Sequence, residues 1–140
     1  MEFKMVKMSV VYEGGLHCEI THGPSGKRIQ TDAPIDNNGK GEAFSPTDLL
    51  AASLGSCMMT VMGIVAQRNQ IELKGTTIDI EKIMITSPFR RIGTVSVKFK
   101  MAKGIPVDKR SLLEHTALTC PVHKSLSSEV AMPVEFIYQD

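Results

Sequence analysis

Val6, Met8, Val10 and Tyr12 occupy alternate positions, the period of a strand with one buried face. Gly14-Gly15 marks a turn, after which Leu16, Cys18 and Ile20 alternate with His17, Glu19 and Thr21 as a second strand. Pro24-Ser25-Gly26 turns the chain into a short third strand near Lys27 to Thr31. The polar stretch from Ala33 to Phe44, with Pro34, Asn37-Asn38 and two glycines, reads as a loop. Strand patterns return from Thr76 to Ile85 and again where Val95, Val97, Phe99 and Met101 alternate with Thr94, Ser96, Lys98 and Lys100. Val134, Phe136 and Tyr138 form a closing strand.

Two segments break this period. Ser45 at an N-cap, Pro46 at the first helical position and Asp48 at the third open a helix. Asp48 also suits the positive end of the helix dipole. From Leu49 to Ala66 this helix is apolar almost all round, so it is expected to be buried on most sides. One sheet of a 140-residue chain covers only part of such a helix. A second copy of the chain would cover the rest, which predicts a homodimer. Pro106-Val107-Asp108 opens a second helix through about Leu118, and Pro121 starts a short third one with Thr119 or Cys120 as its N-cap. Strands grouped around helices give an α+β fold, read as a single domain over residues 1–140.

The chain carries 16 basic and 15 acidic residues, with no basic cluster. That balance argues against nucleic acid or an anionic membrane surface as partner. No uninterrupted apolar run reaches about 18 residues, and the start Met1-Glu2-Phe3-Lys4-Met5 lacks a signal-peptide core, so the protein is expected to be cytoplasmic. Three cysteines fit reduced thiols better than a secreted disulfide framework. The nine methionines read as adaptable core filling.

Cys57 and Cys120 lie on different predicted helices, and neither belongs to a CxxC. Brought together by the fold, they would allow one thiolate to attack a substrate and the other to resolve the product as a disulfide. Cys57 is flanked one turn away by Ser53, Leu54, Thr60 and Val61. It is therefore either a packed core thiol or a nucleophile activated by a cation from elsewhere in the fold. Cys120 precedes a helix N-terminus, with His123 and Lys124 within one turn, an arrangement that favours a thiolate; a packed cysteine is the alternative. Cys18 shares a strand face with Leu16 and Ile20 and reads as a small core hydrophobe. His17, His22 and His115 have no matched partners, and Cys120-x-x-His123 alone is too sparse for a zinc site, so no metal and no cofactor is expected. Arg90-Arg91 reads as a solvated corner, or as the cation that activates a thiol or grips an anion.

The run Ser45-Pro46-Thr47-Asp48-Leu49-Leu50-Ala51-Ala52-Ser53-Leu54-Gly55-Ser56-Cys57 and the run Thr119-Cys120-Pro121-Val122-His123-Lys124-Ser125-Leu126 resemble the OsmC/Ohr family of osmotically inducible and organic-hydroperoxide-resistance proteins. The resemblance extends over nearly the whole chain in its order of strands and helices. It implies antiparallel sheets around a long central helix in an intertwined homodimer. It also implies reduction of a small organic hydroperoxide by a cysteine pair, with Cys57 as the peroxidatic and Cys120 as the resolving residue, reset by a dithiol reductant. The family's activating glutamate falls at Thr47, and of its N-terminal arginine only Arg28 is a counterpart, at a poorly matching spacing. These departures leave a non-catalytic redox-sensing or apolar-ligand-binding protein as the alternative.

Overall fold

The structure, a computed structural model, describes residues 4–139. Met1–Phe3, on which the signal-peptide reading partly rests, and Asp140 lie outside the described residues. The chain forms two compact units, residues 1–49 and 50–140.

In the first unit, β1 (Met8–Tyr12), β2 (His17–His22) and β3 (Arg28–Asp32) make an antiparallel sheet in that order. Val10 stands opposite Ile20, and Ile20 opposite Ile29. Leu16 belongs to the turn and not to β2, with φ of 62° in the left-handed region. All five residues of β1 are exposed, including Met8, Val10 and Tyr12. The alternation of the sequence therefore marks an apolar face that this chain by itself leaves open. A 3-10 turn, Ile35–Asn37, interrupts the loop that follows β3.

The helix α1 (Pro46–Arg68) begins as the sequence predicts. The backbone N–H of Asp48 donates to Ser45 Oγ at 3.0 Å, and the backbone N–H of Ser45 donates to Asp48 Oδ2 at 3.0 Å. This reciprocal pair is a capping box with aspartate in the acidic role. The helix is less enclosed than expected. Ala51, Leu54, Gly55, Met58, Met62 and Ala66 are buried, a single stripe of three- and four-residue steps, while Leu50 and Ile64 are exposed. By length and mean hydropathy (1.9) α1 is apolar enough to cross a membrane, yet its buried stripe joins the core of the second unit.

That core is built on a second sheet, β4 (Thr77–Ile85), β5 (Arg91–Lys100) and β6 (Val134–Ile137), in the order β4-β5-β6. β5 and β6 run parallel, so this sheet is mixed and not antiparallel throughout. Parallel neighbours need a long crossover, here α2 (Val107–Ala117) and α3 (Pro121–Ser125). β5 alternates as its sequence indicates: Val95, Val97 and Phe99 are buried, Lys98 and Lys100 exposed. Phe99 stacks on Phe136 of β6 with ring centroids 4.9 Å apart. Tyr138 donates to Glu114 Oε2 at 2.7 Å while the Arg110 guanidinium lies 4.2 Å over its ring, tying the chain after β6 to α2.

Two glycines permit close packing here. A Cβ on Gly55 would lie 2.4 Å from Ile80 Cδ1, so its absence allows α1 to approach β4. Gly93 occupies a bulge where the β4–β5 register shifts between Ile83 and Met84, and a Cβ there would lie 2.7 Å from Ile85 Cγ2.

Candidate active site

The second unit brings together two of the three cysteines. Cys57 lies in the middle of α1, two residues beyond the close approach at Gly55, and is only partly buried. Cys120 is the N-cap of α3 and is fully buried, with Pro121 at the first helical position. Its sulfur accepts the backbone N–H of His123 at 3.2 Å. The Cys57 and Cys120 side chains lie close enough for each to perturb the other, and both are free thiols. Two sulfurs separated by 63 positions in the chain thus meet at one place.

The surroundings of Cys120 reverse the expectation drawn from its position before a helix. Burial pushes its thiol above the ordinary value, and the amide of His123 opposes that shift without overcoming it. The neighbouring Cys57 side chain pushes it further in the same direction. Desolvation outweighs the helix terminus because α3 is only five residues long and the sulfur is shut off from water. Burial therefore favours the neutral thiol form of Cys120.

The other candidate residues have separate settings. Cys18 is half-buried in β2, opposite Tyr12 and Thr31, with no disulfide. Arg28 pairs with Glu19 of the neighbouring strand at 3.5 Å. Thr47 Oγ1 lies 3.2 Å from Ser45 Oγ in the capping turn. Arg91 donates from Nη1 to the carbonyl of Ile92 at 3.2 Å, and its buried Nε has no hydrogen-bond partner among the described residues. The Nδ1 of His123 is likewise buried without a partner there. Among the described residues no group of three or more His, Cys, Asp and Glu side chains is placed to hold a metal ion.

One pairing escaped the sequence reading, which left His17 without a partner. The β2–β3 register sets His17 opposite Asp32, and His17 Nδ1 lies 2.5 Å from Asp32 Oδ1. Asp32 is buried, and its Oδ2 accepts the backbone N–H of Glu42 at 3.1 Å, fixing the loop after β3. The mutual hydrogen bond raises the His17 pKa above 6.5 and lowers that of Asp32 below 3.8. The turn at Pro24-Ser25-Gly26 was legible, and counting outward from it would have paired positions 17 and 32.

Neither Cys57 nor Cys120 is among the residues lining two surface hollows in the second unit. One of about 470 Å³ is lined by Asp79, Glu81, Lys98 and Glu135, and one of about 580 Å³ by Glu114, His115, Met132 and Phe136.

Comparison with known proteins agrees with this architecture. The family model of OsmC-like proteins matches residues 39–135. A candidate osmotic stress induced and detoxification response protein from Psychrobacter arcticus is 41% identical, with TM-score 0.89 over 96% of this chain and 98% of that one. An organic hydroperoxide resistance protein OsmC from Legionella pneumophila shares the fold at 16% identity, with TM-score 0.78 over 98% and 99% of the two chains. The organic hydroperoxide resistance protein OhrB of Bacillus subtilis does so at 21% identity, with TM-score 0.69 over 95% and 98%. No curated protein sequence matches the chain.

Proposed function

The chain belongs to the OsmC-like protein family, and from that premise we propose that it is a thiol-dependent peroxidase that reduces organic hydroperoxides in the cytoplasm as a defence against oxidative stress. The observation that carries this reading is the proximity of a partly accessible Cys57 to a fully buried Cys120. Cys57 is the more exposed of the two, which supports attack by Cys57 and resolution by Cys120.

The Cys57 thiolate attacks one oxygen of the hydroperoxide; an S–O bond forms, the O–O bond breaks and an alcohol leaves after taking a proton. Cys57 is then a sulfenic acid. Cys120 attacks that sulfur, the S–O bond breaks, water leaves and the Cys57–Cys120 disulfide forms. An external dithiol returns both residues to thiols by exchange. Cys57 packs, as Met59 and Val61 do, against an apolar core that includes Met58, which supports an organic hydroperoxide over hydrogen peroxide as substrate.

The working form in this reading is a homodimer. The exposed β1 face and the exposed Leu50 and Ile64 of α1 support it as apolar surface suited to a second copy. A second reading, a redox-sensing or ligand-binding protein without turnover, is favoured by one observation: Thr47 stands at the family's glutamate position and bonds within the capping turn.

Consumption of cumene hydroperoxide with dihydrolipoamide or a thioredoxin system as reductant tests the proposal. The parent protein should turn over and Cys57→Ser should lose essentially all activity. Equal rates for the two would remove Cys57 from the reaction, and an inert parent with intact thiols would favour the second reading.

A further inference from the structure

His123 presents two different groups near the sulfur pair. Its backbone N–H donates to Cys120 Sγ at 3.2 Å, while the Nδ1 of its ring is buried and bonded to nothing among the described residues. Only four covalent bonds separate that backbone nitrogen from Nδ1, so the ring nitrogen lies within about 8 Å of the sulfur, though not hydrogen-bonded to it. A buried polar nitrogen without a partner is costly and calls for an explanation, of which a chemical role is one.

The resolving step creates a use. Cys120 reaches the disulfide only by losing the proton of its S–H bond, and its burial leaves it without bulk water to take that proton. We propose that the His123 imidazole accepts the proton released by Cys120 as the Cys57–Cys120 disulfide forms. This inference rests on the peroxidase reading above and adds the group that makes its second step fast. The Cys120 electron pair forms the S–S bond and the S–O bond of the sulfenic acid breaks. The departing hydroxide leaves as water after recovering a proton from the imidazolium, so His123 ends neutral. The backbone amide of the same residue holds the sulfur in place, and thus one residue both positions the thiol and relieves it of its proton.

The test treats the parent, His123→Gln and His123→Asn with one equivalent of cumene hydroperoxide and follows sulfenic acid by dimedone trapping and disulfide by mass spectrometry. Both variants should form the sulfenic acid at the parent rate but convert it to disulfide about tenfold more slowly or worse. Added imidazole should restore the conversion in proportion to its concentration, which a merely structural role would not give. Parent-like conversion in either folded variant, or slowed conversion that imidazole leaves unchanged, would overturn the role of His123 while the peroxidase reading stands. Absence of sulfenic acid and disulfide in the parent itself would overturn both. Failure of both variants to fold, judged by circular dichroism, would make the ring a packing group and end the proposal.

Discussion

Cys120 has no surface left in solvent, whereas Cys57 keeps part of its own, and that difference has a kinetic consequence. Iodoacetamide at neutral pH should modify Cys57 well before Cys120, whose raised thiol pKa and burial both slow the reaction; peptide mapping over time measures the order. Equal labelling rates would contradict the burial described here. The His17–Asp32 pair has a consequence of a different kind. His17 is raised above 6.5, so its contribution to stability is fully present below that pH and is lost as pH rises through the higher folded value. Asp32 is lowered below 3.8, so its contribution is present above that pH and is lost as pH falls through the lower folded value. The pair is thus at full strength between about pH 4 and pH 6.5 and weakens as pH rises from there through the raised His17 pKa. In thermal melts across pH, the parent should lose stability above pH 6.5 and His17→Gln should lack that decline, and superimposable profiles would count against the pair.

At the scale of elements, α1 fixes Cys57 through its capping box and its approach to β4 at Gly55. Gly55→Val should push Ile80 aside and lower stability by about 1–3 kcal/mol, read from denaturant unfolding. Met58→Ala, in the buried stripe beside Cys57, should cost about 2–5 kcal/mol by leaving a cavity. Both residues belong to runs whose meaning was legible beforehand. Ser45, Pro46 and Asp48 announced the start of α1, Pro106 that of α2 and Pro121 that of α3, because capping and proline geometry are local. The parallel pairing of β5 with β6 was not legible, since it depends on where a crossover of two helices returns the chain. The fate of Cys120 was hidden for the same reason: its local sequence shows a helix terminus, whereas in the fold it joins a core whose other members, Leu54, Phe99 and Leu113 among them, come from other elements and from distant parts of the chain.

For the whole molecule, the apolar period of β1 and the all-round apolar character of α1 were plain in the sequence, yet the chain alone covers only one stripe of α1 and none of β1. The proposed second copy accounts for that excess. Sedimentation equilibrium should give a mass of twice 15.3 kDa, and a monomer at micromolar concentration would contradict it. The central claim concerns the two sulfurs. The most direct measurement is mass spectrometry of the intact and digested protein after one equivalent of cumene hydroperoxide, without reductant. The account expects the loss of two hydrogens and a single cross-linked peptide pair containing Cys57 and Cys120. Recovery of both residues as free thiols, or of Cys57 over-oxidised beside an untouched Cys120, would contradict it.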